Sequence, residues 1–237
     1  MTTSTRIPHL RLVAPGALLM VRAGLEALTA NHTAGERAAL CDLLEELGPD
    51  APTLCEGWTT ADLAAHLVIR ERRPDAGVGI LAPRLAGWTD KVQRDAKRVG
   101  YATLVHQIRT GPPRWSFFAL PGADANLNLI EYFVHLEDVR RAQPERQPRE
   151  LSAEVEEALW VRLRAAAPML MRNVRTGIAL RLPDGRVERV HPGPGVRVTG
   201  PAGELVLFAY GRGGQAEVEL EGPRADREHL LSAQLGV

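Results

Sequence analysis

Glu131 and His135 stand four residues apart in a segment of almost unbroken apolar character: Leu127, Leu129, Ile130, Phe133, Val134, Leu136 and Val139. At helical pitch this spacing stacks the two side chains on one face, with Cβ atoms about 5–6 Å apart. Two ligands so placed chelate a divalent ion without backbone strain. A helix that is apolar almost all round lies inside a bundle, which makes Glu131 a carboxylate withdrawn from water, and such a group is costly unless something neutralises it. Neither this helix nor the one carrying His66 contains a lysine, and Arg140 and Arg141 lie two to three turns beyond Glu131. His66, beside Leu63 and Leu67, offers a third ligand from a second helix, and bundles build metal sites from side chains on facing helices. The competing reading is a Glu131–His135 hydrogen bond, with His66 a satisfied core histidine.

The elements that must position these residues follow from apolar period and caps. Thr33 with Glu36 is a capping-box pattern, and Leu40, Leu43, Leu44 and Leu47 form the stripe of a first helix that Gly48-Pro49 stops. Thr59 and Asp62 open a second helix, which Pro74 and Gly77 end. A third is expected over 89–110, broken near Gly100, and a fourth over 126–142. Ser152 opens a fifth, running to about Arg172 and kinked at Pro168. The period then changes. Residues 178–182 and 186–190 read as a β-hairpin across Pro183-Asp184-Gly185, with strands at 196–198 and 216–220 and helices at 204–210 and 226–235. The fold class predicted is α+β: an N-terminal helical bundle over 34–172, then a small α/β domain over 173–237. Residues 1–33 are expected to be an extension outside the fold. Leu12 to Val21 behind Arg6 and Arg11 faintly resembles a signal peptide, but Pro15 interrupts it, Arg22 and Glu26 follow it, and Met20 is an alternative initiator.

Composition narrows the function classes. The 237 residues are 45% hydrophobic and 24% charged, with 29 basic and 29 acidic residues, enough apolar content for a core and no net charge. Lysine occurs only as Lys91 and Lys97, and no basic stripe forms, which argues against nucleic-acid and membrane-surface partners. No apolar run reaches the roughly 20 residues of a membrane span. Two cysteines, Cys41 and Cys55, are too few for a disulfide framework and predict a reducing, cytoplasmic setting. Cys41 falls on the stripe of the first helix and reads as core. Cys55 lies within a loop's reach of His66 and is a candidate to close the coordination shell. Trp58 is expected to pack at the start of the second helix. His9, His32, His106, His191 and His229 lack partners at ligand spacing and read as solvated. Gly211-Arg212-Gly213-Gly214 follows a helix instead of opening one, so it reads as a helix stop and not a phosphate loop. Arg212 is left as a guess for binding an anionic substrate.

The segment Glu56-Gly57-Trp58-Thr59-Thr60-Ala61-Asp62-Leu63-Ala64-Ala65-His66-Leu67, with Glu131-Tyr132-Phe133-Val134-His135-Leu136-Glu137-Asp138-Val139-Arg140 far downstream, resembles the DinB/YfiT-like superfamily. It looks nearest to the actinobacterial branch that includes mycothiol-dependent maleylpyruvate isomerase, and within it to an uncharacterised metal-binding subfamily. The run from Val198 to Leu205, ending at Tyr210-Gly211-Arg212, resembles that branch's C-terminal domain. The resemblance covers roughly 34–237 and departs at Leu136, where relatives often carry a second histidine. It implies an antiparallel four-helix bundle whose His–Glu–His set, here His66, Glu131 and His135, binds zinc, followed by a smaller α/β domain.

Three protein ligands leave a coordination position open, the mark of a catalytic more than a structural zinc. A divalent ion, one carboxylate and two neutral imidazoles leave a single positive charge, suited to one bound anion, hydroxide or thiolate. The resemblance implies the thiolate. The expected function is a metal-dependent thiol (mycothiol) S-transferase or isomerase acting on a small electrophilic molecule, as a monomer or weak homodimer. The alternatives are a zinc-dependent amide or ester hydrolase with Asp138 or Glu137 as base, and a non-catalytic metal-binding or sensor module. Asp138, one turn beyond His135, is also placed to orient its free ring nitrogen. Ligand type alone admits nickel, iron or manganese beside zinc.

Overall fold

The computed structural model describes residues 15–72, 98–119, 123–144 and 147–236. Helix α1 (Pro15–Leu47) does not begin at Thr33, as the capping-box pattern predicted, but runs straight through it. Thr33 is fully buried, and Glu36 does not fold back on its own helix; its carboxylate takes Arg149 Nη1 and Nη2 at 3.2 and 2.7 Å. Gly48, at φ 76°, ends the helix as expected. Helix α2 (Thr60–Arg72) starts where Asp62 Oδ2 accepts from both the backbone N and the hydroxyl of Thr59, at 3.1 and 2.9 Å. Its expected stop at Pro74 and Gly77 lies outside the described residues.

Helix α3 (Tyr101–Arg109) opens at Gly100, at φ 90°; the expected helical stretch over 89–97, and with it the expected break near Gly100, lies outside the described residues. Helix α4 (Ala123–Arg140) carries the Glu131–His135 pair, and α5 (Ala153–Leu170) is capped by Ser152, whose Oγ accepts from Val155 N at 3.4 Å. Pro168 sits within α5, two residues before its end.

The C-terminal part is a four-stranded sheet in the order β2-β1-β3-β4, with helices α6 (Ala202–Ala209) and α7 (Arg224–Ser232). Strands β1 (Gly177–Arg181) and β2 (Val187–His191) form the predicted hairpin. Strand β3 (Gly195–Thr199) runs parallel to β1, and β4 (Glu219–Glu221) pairs antiparallel to β3. The last strand is shorter and later than the alternation over 216–220 predicted, because only Glu219, Leu220 and Glu221 find partners on β3. Gly177 and Gly195 face each other at the start of the parallel pair; a Cβ on Gly195 would lie 2.0 Å from Gly177 O, so the strands close only without side chains there.

Two cores meet on α4. Tyr132, Leu136 and Val139 pack with Leu40 and Leu44 of α1, Leu63 and Leu67 of α2, and Leu104 and Ile108 of α3. Leu129, Ile130, Phe133 and Val134 pack instead with Leu159 and Leu163 of α5 and with Ile178, Val198, Leu205 and Phe208. Helix α4 is apolar all round because both sides of it are core. The class is α+β, as expected. Among the described residues no helix is long and apolar enough to cross a membrane.

Candidate metal centre

Helices α2 and α4 bring the three predicted residues together. His66 Nε2 lies 3.3 Å and His135 Nε2 3.2 Å from the same carboxylate oxygen, Oε1 of Glu131. The two imidazole rings meet edge to face, 5.3 Å between centroids. One ligand atom from each residue lies within 4.8 Å of the other two. An ion bonded to nitrogen and oxygen at about 2.0–2.1 Å in tetrahedral geometry holds its ligands about 3.3 Å apart. The N···O separations match that edge, so the donor set fits a divalent metal in chemistry and spacing. The side chains of His66 and Glu131 keep a fifth of their surface exposed.

A fourth group reaches the same oxygen. Arg70 Nε lies 3.4 Å from Glu131 Oε1. Glu131 therefore does not depend on a metal alone for neutralisation, as the lack of lysine and the distance of Arg140 and Arg141 had suggested: Arg70, one turn beyond His66, reaches it. The i, i+4 spacing that singled out Glu131 and His135 also relates His66 to Arg70, so the signal was present.

Behind these three residues, Asp138 takes the place expected of it. Its Oδ2 lies 3.0 Å from His135 Nδ1, leaving Nε2 as the nitrogen aimed at Glu131. Asp138 is fully buried and gripped from the C-terminal part of the chain, with Arg212 Nε donating to Oδ1 at 2.8 Å and Nη2 to Oδ2 at 2.7 Å. Arg212, expected as a partner for an anionic substrate, is instead paired with Asp138. No local pattern announces that pairing across 74 residues.

Cys55 joins this second layer. Its thiol donates to Asp138 Oδ2 at 3.3 Å and accepts from Arg212 Nη2 at 3.6 Å. It groups with His135 and Asp138, not with His66 and Glu131, and the guanidinium already supplies the positive charge there. Trp58 packs against the His66 ring at 5.2 Å between centroids. Cys41 is core as expected, and burial pushes its thiol up to about 11.

Charge follows from these contacts. Burial pushes His66 below its ordinary value. Burial opposes ionisation of Glu131, but bonds from His135 and His66 and the charge of Arg70 hold its carboxyl well below the usual range. For His135, burial favours the neutral ring, yet Asp138, Cys55 and Glu131 together push it well above the ordinary histidine value. Without metal these directions favour a neutral His66 and a protonated His135 beside an ionised Glu131.

Burial also opposes ionisation of Asp138, but Arg212 and His135 bring its carboxyl down to about 2. A depressed carboxyl contributes stability above its unfolded value and loses it as pH falls through the folded one, here between about 4 and 2. The shift corresponds to about 2 kcal/mol. Urea unfolding midpoints of wild type should fall over that window more steeply than those of Asp138→Asn; parallel profiles would refute this.

Three further expectations change. Glu137 is not available as a base: it is buried and held by Arg140, Arg141 and Arg149, with the Arg149 Nε bond at 2.6 Å. His191 and His229 are not simply solvated. His191 Nε2 lies 3.0 Å from Met171 O, and His229 Nε2 accepts from Arg175 N at 3.2 Å.

No protein-family model matches the chain, and no curated protein matches it in sequence. Among solved structures, its fold is similar to that of the mycothiol-dependent maleylpyruvate isomerase, with a TM-score of 0.55 and 15% identity over 85% of this chain and 94% of that one. A histidine-to-alanine variant of that isomerase superposes with a TM-score of 0.47 at 16% identity, over the same shares.

Proposed function

We propose that His66, Glu131 and His135 hold a divalent metal, zinc foremost, and that the centre serves a thiol S-transferase or isomerase acting on a small electrophilic molecule. The observation that carries this reading is the meeting of two imidazole nitrogens on one carboxylate oxygen at 3.2 and 3.3 Å, the separation of ligands around a tetrahedral ion. The mycothiol dependence of the isomerase with a similar fold supports mycothiol as the thiol. It also supports the DinB/YfiT-like superfamily for the chain; within that superfamily the metal-binding, maleylpyruvate isomerase-like branch is our proposal, and it rests on the His66, Glu131 and His135 set.

When bound, the ion supplies the positive charge that favours thiolate over thiol. The protein's own groups do the rest. Glu131 contributes the anionic donor, His66 arrives already neutral, and Asp138 holds His135 with Nε2 forward. Trp58 backs the His66 ring and limits its rotation. A hydrolase would need a carboxylate free to move a proton, and both nearby candidates are committed, Glu137 to three arginines and Asp138 to Arg212 and His135. One observation favours a second reading: Arg70 beside Glu131 allows a charge-balanced cluster that needs no metal.

Metal analysis decides between them. Purified protein is expected to carry about one zinc-class ion per chain, and His66→Ala only traces, because a three-ligand site does not survive loss of a ligand. Mycothiol consumption across electrophile classes should then depend on metal and vanish in the His66→Ala/His135→Ala double variant. Metal content unchanged by His66→Ala would sink the triad. No metal-dependent turnover across the panel would sink the thiol chemistry.

A further inference from the structure

Arg70 follows His66 by one turn of α2, so both side chains leave the same helical face. Its Nε stands 3.4 Å from Glu131 Oε1, the oxygen that both histidines reach. The guanidinium is held by groups outside the triad. One Nη1 donates to Asn128 Oδ1, and Cζ lies 4.6 Å from the centroid of the Phe118 ring. Asn128 is fixed in turn, its Nδ2 donating to Glu71 Oε1 at 3.2 Å, and the same Glu71 oxygen takes Arg37 Nη2 at 2.9 Å and Tyr132 Oη at 2.6 Å. Asn128 and Glu71 are both buried. This frame keeps a positive charge next to Glu131 whether or not an ion is bound, because a guanidinium does not lose its proton.

Two cations beside one carboxylate oxygen repel each other, and more strongly where water is scarce. We propose that Arg70 is the internal counter-ion of the centre: it balances Glu131 in the metal-free protein and opposes the incoming metal, so it sets the concentration at which the site fills. The inference rests on the metal reading above and deepens it by naming the residue that tunes occupancy.

Two variants of the full chain test it. Arg70→Met keeps the apolar stem and removes the charge; Arg70→Lys keeps the charge and removes the planar fork. Zn2+ affinity is measured by competition with a chromophoric chelator, Co2+ binding by its visible spectrum, and metal-free stability by urea unfolding after chelation. Arg70→Met is expected to bind Zn2+ about 10–100-fold tighter, the span by which groups around a metal's ligands change affinity, and to unfold at lower urea when metal-free. Arg70→Lys should stay near wild type in both.

Equal or weaker Zn2+ binding by Arg70→Met would overturn the proposal, since Arg70 would then orient the carboxylate instead of opposing the ion. Unchanged metal-free stability would overturn it as well. So would Arg70→Lys behaving like Arg70→Met, which would assign the effect to lost packing or hydrogen bonds. If wild type itself takes up no Zn2+ or Co2+, the metal reading fails and the proposal falls with it, a result told apart from the others because it needs no variant.

Discussion

Arg212→Met should destabilise the protein by about 3 kcal/mol, because it strips a fully buried carboxylate of its bidentate partner and breaking such a pair from one side costs roughly 3–5 kcal/mol. The lower end is expected because Arg212 keeps 23% of its side chain exposed. The damage should reach the metal. Asp138 Oδ2 both receives Arg212 and faces His135 Nδ1, so an Asp138 released from its clamp no longer fixes the imidazole. Metal affinity should then fall about 10–100-fold. Adding Asp138→Asn to Arg212→Met removes the orphaned charge and should recover most of the stability. Urea unfolding and zinc competition on the single and double variants check both halves. A stability loss within about 0.5 kcal/mol, the size of an ordinary surface change, would mean that Arg212 is not the clamp.

Glu131→Gln should abolish practical metal binding. The amide keeps the shape of the side chain but offers no charge, and it is the only anionic member of the ligand set. The affinity loss should exceed the roughly 10–100-fold expected of groups behind the ligands. The variant also removes the anion that Arg70 and His135 share, so the His135 ring should titrate at lower pH than in the metal-free wild type, where Glu131 helps hold it up. Metal content of the purified variant and histidine titration by NMR provide the two readouts. A variant that retains metal like wild type would show that Glu131 is not a ligand.

What each stage could reveal follows from how far apart the interacting residues lie. Regular periodicity and caps are local, and several of the boundaries they predicted lie where expected: Thr59 with Asp62 at α2, Ser152 at α5, Gly48 after α1, and the hairpin across Asp184-Gly185. The failure at Thr33 is informative. There the capping-box pattern falls inside a continuous helix, whose backbone amides already have partners a turn back, and Glu36 pairs instead with Arg149, 113 residues away. The all-round apolar character of α4 correctly indicated burial, yet not that the helix divides its sides between two cores.

For the site, the sequence by itself determined which residue types are available as candidate ligands and, through the four-residue spacing, that Glu131 and His135 share a face. Geometry within one helix needs no tertiary information. Even Arg70 was within reach by the same rule applied to His66. Only the tertiary structure decided that α2 sets His66 and Arg70 against Glu131, that Arg212 locks Asp138 behind His135, and that Cys55 stands on the far side of that histidine. These are contacts between residues 55 to 212, and which distant charges meet depends on how the helices and the sheet pack, a property that no local pattern records.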